Sequence, residues 1–271
     1  MNDYLNHLSF ISAEENALAQ EFQKKGYVVI PGENSKIFES MQAFIAQEVA
    51  KILNHSYDNA EVYLNEFHHK IDVPDLNAIR VKVISAINAQ SWFRKAYYHL
   101  AKNALNNLVG NELAMQVRVN LSIQLPNDSS SLLPVHADVW SGDSPFEVVV
   151  WVPLVNCYQT KTMFILPHHH YADVSKNFKE LSKGNSEDFY QSIEKDLEWV
   201  NIKAGEVLIF NQNLPHGNRI NTESETRWSM NCRFKGVFTP YGDKKIGEFF
   251  EPITLKSLSQ IGMNYHFPDI V

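Results

Sequence analysis

MQVRVNLSIQLP, residues 115–126, decides the fold class. Its odd positions Met115, Val117, Val119, Leu121, Ile123 and Leu125 are apolar, and its even positions Gln116, Arg118, Asn120, Ser122 and Gln124 are polar. Alternate side chains of a strand point to opposite faces, so a period of two predicts a strand with one apolar and one polar face. Further strand-like runs follow at EVVVWVPL (147–154), TMFILP (162–167), EVLIF (206–210) and RWSMNCRFKGVF (227–238). A helical insertion near 171–200 interrupts them.

Working backwards, the first third of the chain has a helical period. Ser12 and Glu15 form a capping-box pattern ahead of an amphipathic run that stops at Gly26. A short strand, YVVIPG, follows at 27–32, then helical patterns over 35–53, 75–88 and 91–108, the last closing at Gly110. Helices followed by many strands predict a mainly β fold, a sandwich or barrel with flanking helices. With no repeat, low-complexity tract or linker, one domain is expected over 1–271. It would comprise a mostly helical part (1–112), a β core (113–238) and a C-terminal extension (239–271).

At 44% hydrophobic and 12% aromatic residues, the 271-residue chain has the means to build a sizeable core. A formal charge of −7 and the lack of a basic stripe argue against a nucleic-acid partner. Cys157 and Cys232 have no CxxC partner and lie on apolar strand faces, which predicts buried free thiols in a reducing compartment. The opening MNDYLNHLSF lacks the basic and apolar regions of a signal peptide, and no apolar run approaches the ~20 residues of a membrane helix. The expected location is cytoplasmic.

Chemistry concentrates in LLPVHADVWSGDSP, residues 132–145. In an extended segment His136 and Asp138 point the same way, as a hydrogen-bonded pair or as two-thirds of a metal site. The best third ligand is His216, in Pro215-His216-Gly217 after the strand at 206–210 and 78 residues beyond Asp138. Two histidines and one carboxylate on one face suit non-haem Fe(II) and leave three octahedral positions open. An ordinary loop histidine at 216 fits the spacing as well. Eleven residues on, Arg227, Ser229, Asn231 and Arg233 share one strand face, and Trp228, Met230, Cys232 and Phe234 share the other. An arginine fork with a hydroxyl two residues away suits a terminal carboxylate such as that of 2-oxoglutarate. The solvated face of an edge strand would look the same. Trp151 reads as core, and His68-His69 as surface.

Taken together, His136-x-Asp138, His216 and Arg227-x-Ser229 resemble the phytanoyl-CoA hydroxylase-like family of Fe(II)/2-oxoglutarate oxygenases. KKGYVVIPG after the first helix is similar to that family's opening element, and residues 134–167 resemble oxygenases of streptomycin-type and other carbohydrate biosynthetic clusters. The resemblance implies a double-stranded β-helix, a cupin-like jelly roll with a polar mouth. It implies Fe(II) on His136, Asp138 and His216, with 2-oxoglutarate held by Arg227 and Ser229 and by Gln124 as a second contact. Arg118, Asn231, Arg233 and Trp140 would face a small-molecule substrate, a sugar, nucleotide-sugar or related intermediate, hydroxylated with O₂. Desaturation, ring formation or epimerisation would use the same residues. The carboxylate at 138 argues against a halogenase, because related halogenases carry a small residue there. Two rivals stand beside this reading. A binding-only cupin-like barrel would not need the Arg-x-Ser pair, and a metal-dependent hydrolase or isomerase would turn over without O₂. One departure is His168-His169-His170, where the family has Gly-Ser-His; its expected place is a loop.

Overall fold

Ser12 and Gly26 delimit the first helix as their chemistry predicts. The Ser12 hydroxyl accepts from the Glu15 amide, the Glu15 carboxylate accepts from the Ser12 amide, and Gly26 closes the helix at φ +78°. The computed structural model describes residues 9–181 and 183–268. Residues 1–8, where the reading for a signal peptide begins, lie outside them. The helix α1 (Ala13–Lys25) leads into β1 (Tyr27–Pro31), α2 (Ser35–Leu53), α3 (Ala60–Asn65), α4 (Leu76–Ala89), α5 (Phe93–His99) and α6 (Lys102–Leu108). A single helix over 91–108 was expected, and the chain breaks it at Ala101 (φ −142°). The cause is long-range: the Glu33 amide donates to the Leu100 carbonyl at 3.0 Å. Its Oε1 accepts from the amides of Asn103 and Ala104 at 2.7 and 3.2 Å, supplying α6 with the cap that its own sequence lacks.

The strands are β2 (Leu113–Gln116), β3 (Asn120–Gln124), β4 (Glu147–Pro153), β5 (Phe164–Ile165), β6 (Glu198–Trp199), β7 (Glu206–Asn211), β8 (His216–Gly217), β9 (Arg227–Gly236) and β10 (Phe250–Pro252). One sheet runs β1-β7-β4-β9-β2-β10, with β3 also paired to β9; the other runs β6-β5-β8, and all pairings are antiparallel. This is the jelly-roll core with flanking helices. The helices cover the outer face of the large sheet. The Trp228 indole donates to the Leu64 carbonyl (2.9 Å) and packs edge-on against Phe67, and the Tyr97 hydroxyl donates to the Val150 carbonyl (2.8 Å). Every residue of β4 is buried, which explains its unbroken apolar run.

The predicted strand 115–125 is two strands. Met115 lies opposite Phe234 and Asn120 opposite Asn231, so four residues on this side face two on β9. This two-residue bulge is secured by Asn88, whose side chain donates to the Val119 carbonyl and accepts from its amide, both at 2.9 Å. Two further elements, β10 and α9 (Ser257–Met263), have no counterpart in the sequence reading. The insertion folds as α7 (His168–Leu181) and α8 (Ser186–Ile193), so His168-His169-His170 is the first turn of a helix rather than a loop. No described helix is long and apolar enough to cross a membrane.

Candidate metal centre and co-substrate pocket

His136 and His216 meet through their backbones. Each amide donates to the other's carbonyl, at 3.0 and 2.8 Å, so the 136 segment extends the small sheet beyond β8. The imidazoles then lie side by side with centroids 4.3 Å apart. Gly217 makes the approach possible, since a Cβ there would meet the Leu133 carbonyl at 2.7 Å and the Phe164 ring at 2.9 Å. Ala137 is extended (φ −122°, ψ 134°) and Asp138 opens a short 3-10 turn, so one extended step, not a full strand, aims Asp138 beside His136. One ligand atom from each of His136, Asp138 and His216 lies within 4.8 Å of the others.

Both imidazoles are oriented from behind. His136 Nδ1 lies 2.8 Å from the Pro134 carbonyl and His216 Nδ1 lies 2.9 Å from that of Leu214. A carbonyl can only accept, so each ring donates from Nδ1 and turns Nε2 towards the cavity. Burial, with His136 nearby, pushes the His216 imidazole down to about 4, which keeps it neutral at physiological pH. Two imidazoles and a carboxylate at this separation fit a divalent iron and leave its other positions to small ligands.

These residues form one wall of a cavity of about 310 Å³, whose other walls include Ser122, Met163, Trp151, Phe210, Asn218, Arg227, Asn231 and Arg233. Arg227 is 4% exposed. Its Nη1 donates to the Thr162 carbonyl (3.1 Å), its Nη2 donates to Ser122 Oγ (3.2 Å), and its Nε has no partner. Burial pushes its pKa down to about 10. Beside it on the same sheet face, Ser229 Oγ and Gln124 Oε1 are buried without partners. A buried cation with an open donor and an idle hydroxyl is the environment an anionic carboxylate completes.

The other sequence-predicted site residues divide. Asn231 and Arg233 line the cavity. Gln124 is fully buried behind it, donating to the Arg219 carbonyl at 2.6 Å. Arg118 is exposed in the bulge rather than in the cavity. Trp140 packs against Phe178 and Phe189, with centroids 4.8 and 5.7 Å away, and so ties the insertion to the Asp138 turn instead of facing the cavity. Trp151 is buried as core residues are, but its indole lines the cavity. The sequence reading missed Ser122, Thr162 and Asn218. Ser122 had a signal, because it occupies a polar position directly opposite Ser229.

The same architecture occurs in solved non-haem enzymes. A non-heme monooxygenase, the ThoJ–Ni complex, superposes with TM-score 0.57 at 17% identity, over 89% of this chain and 85% of that one. The non-heme alpha-ketoglutarate-dependent epimerase SnoN from nogalamycin biosynthesis gives 0.54 at 17%, over 87% and 88%. The carbocyclase SnoK from the same biosynthesis gives 0.53 at 15%, over 90% and 97%. Likenesses at this identity carry the fold, a jelly-roll core with flanking helices. No curated protein sequence matches the chain. The model of the phytanoyl-CoA dioxygenase (PhyH) family matches residues 22–228, and the chain belongs to that family. Its cofactors are Fe(II) and 2-oxoglutarate.

Proposed function

We propose that the protein is an Fe(II)/2-oxoglutarate-dependent dioxygenase that hydroxylates a C–H bond of a polar small molecule, a sugar, nucleotide-sugar or related intermediate. The observation that carries this reading is the joint presence of His136, Asp138 and His216 with ligand atoms within 4.8 Å and, in the same cavity, the buried Arg227 with an open donor. His136, Asp138 and His216 would hold the iron. Bound iron with 2-oxoglutarate supplies a dioxygen-dependent oxidant able to take hydrogen from an unactivated carbon.

The chain's own residues do the positioning. The Pro134 and Leu214 carbonyls hold the two imidazoles in the tautomer that binds metal. Arg227 anchors the far carboxylate of 2-oxoglutarate, with Ser122 and Ser229 as hydroxyl neighbours. Met163, Phe210 and Val149 line the same cavity and exclude water from it. Asn231, whose Oδ1 accepts from Asn120 at 3.1 Å, keeps its side-chain nitrogen for a ligand beside Trp151, its cross-strand neighbour, whereas Asn218 is held by the Leu133 amide and the Ser131 carbonyl. An amide next to an aromatic face suits a sugar, which carries hydroxyls at its rim and C–H bonds on its faces.

The test is anaerobic reconstitution with Fe(II) and 2-oxoglutarate, followed by air and a panel of sugar derivatives and acyl-CoA thioesters. A visible charge-transfer band and then succinate coupled to a sugar product are expected. Gain of one oxygen marks hydroxylation, loss of two hydrogens marks desaturation or ring closure, and unchanged mass marks epimerisation. Turnover of acyl-CoA alone would overturn the substrate class, and turnover without O₂ would overturn the reaction.

A further inference from the structure

Arg233 does not act as a free cation in the cavity. Its Nη2 lies 2.9 Å from Asp138 Oδ1 and 3.3 Å from Asp143 Oδ2. Asp143, with a side chain 1% exposed, meets Lys244 in turn, whose Nζ lies 2.6 and 2.7 Å from its two carboxylate oxygens. The four side chains alternate in sign from the candidate ligand outward, and their charges cancel. We infer that Arg233 is a positioning residue for Asp138, and that Asp143 and Lys244 hold it in place, so that the segment after β9 sets the orientation of the carboxylate ligand. This rests on the proposed His136, Asp138 and His216 metal site.

Three features support it. Asp138 opens a 3-10 turn without a side-chain cap, and Arg233 makes the side-chain hydrogen bond found on its carboxylate. A carboxylate tied through one oxygen presents one orientation; an untied one can swing away or chelate and occupy a position that reactants need. The guanidinium also lies over the Phe249 ring at 5.6 Å, and the backbone beneath it is held by the Arg233 amide, which donates to Gln116 Oε1 at 3.2 Å.

The third feature explains the Gly-Asp-Ser that follows Trp140-Ser141. Gly142 has φ +89°, and its carbonyl accepts from the Asp243 amide at 2.9 Å. A Cβ on Gly142 would strike the Asp243 carboxylate, and one on Gly242 would strike the Gly142 carbonyl. The Ser144 hydroxyl donates to the Pro240 carbonyl at 2.6 Å. Residues 138–144 and 240–244 are therefore clipped together along their backbones, and the charged chain runs through the clip. Arg233, Lys244 and Phe249 all lie beyond residues 22–228, which the family model matches.

Cobalt(II) titration of the metal-free protein under argon, without 2-oxoglutarate, tests the role through the ligand-field absorption of the bound ion. The variants are Lys244→Met, Lys244→Arg, Arg233→Lys and His216→Ala, each with a metal-free unfolding curve. Loss of an outer partner of a metal ligand costs about 10–100-fold in affinity, and Lys244→Met and Arg233→Lys should each fall in that range. Lys244→Arg should recover most of the loss. The Lys244→Met/Arg233→Lys double variant should lose less than the product of the two single losses, because both act through one chain of contacts. Should Lys244→Met not fold, Arg233→Lys decides alone, since it keeps the charge. Folded variants that bind cobalt as the wild type does would overturn the inference and leave the metal site standing. A wild type that binds no cobalt, or a His216→Ala variant that binds it equally well, would refute the metal site and the positioning role with it.

Discussion

Arg227→Met should push stability and co-substrate binding in opposite directions. Arg227 is 4% exposed, and its guanidinium has a carbonyl and a hydroxyl as partners rather than a carboxylate. Burial lowers its pKa to about 10, between two and three units below the ordinary guanidinium value. At about 1.4 kcal/mol per unit, keeping the cation costs the folded protein about 3 kcal/mol. The sign follows from the direction of the shift. The group is protonated in both folded and unfolded chains below about pH 10, so the whole cost is present at neutral pH. It would fade only as pH rises from there into the ordinary guanidinium range. Methionine removes that cost but leaves the Thr162 carbonyl without its donor, a loss of about 1 kcal/mol. The metal-free variant should therefore gain about 1–2 kcal/mol, a rise of a few degrees in Tm for a chain of this size. Co-substrate binding should fall by about 2–5 kcal/mol, roughly 30- to several-thousand-fold, because the far carboxylate of 2-oxoglutarate loses its counter-ion in a dry pocket. Arg227→Lys should restore only part, since an ammonium cannot reproduce the fork. Ser229→Ala should cost about 1–3 kcal/mol. Thermal unfolding of the metal-free protein and 2-oxoglutarate titration of the anaerobic iron complex read the two effects separately. Unchanged 2-oxoglutarate affinity in Arg227→Met would place the clamp elsewhere. Neither Arg219, paired with Glu187 outside this cavity, nor Arg233, tied to Asp138 and Asp143, is then a ready alternative.

His136→Ala or His216→Ala should abolish activity while the chain keeps its fold, as circular dichroism and an iron titration would show. Near-normal turnover of His216→Ala under saturating iron would remove it from the site. Asp138→Gly should lose hydroxylation, and chlorinated product from the unmodified protein would contradict the role given to that carboxylate. Cys157 and Cys232 are fully buried, and burial pushes both thiols up to about 12. Neither should react with a thiol reagent in the native protein, and both should react in denaturant; rapid native labelling of either would contradict its burial.

The site was more legible than the fold around it. Residue type, spacing and the family resemblance singled out His136, Asp138, His216 and Arg227, and these four do line one cavity, because coordination and charge pairing are properties of the side chains themselves. The bulge between β2 and β3 was invisible for a geometric reason. It inserts two residues, an even number, so Met115, Val119, Leu121 and Ile123 stay on the buried face and the alternation passes through undisturbed. A one-residue bulge would have announced itself by reversing the pattern. The break at Ala101 was hidden because its cause, the Glu33 carboxylate, lies nearly seventy residues away in the chain. Arg118 and Trp140 were assigned to the cavity on polarity and proximity alone. The bulge carries the first out to solvent, and the insertion's aromatic rings claim the second. Lys244 offered no signal, since nothing in the sequence shows that the C-terminal extension returns to the Asp138 turn.

The antiparallel bridge between His136 and His216 also bears on chain connectivity. An ion bound to both imidazoles would join two points roughly 80 residues apart, closing a loop that includes the helical insertion. A permanent covalent link across such a loop would disfavour the unfolded chain by about 4–5 kcal/mol in the chain-entropy account. A metal does the same work reversibly. Chelation would then undo a staple as well as a catalyst, and the small sheet, only three strands of two residues each, would be the first part of the protein to register the loss.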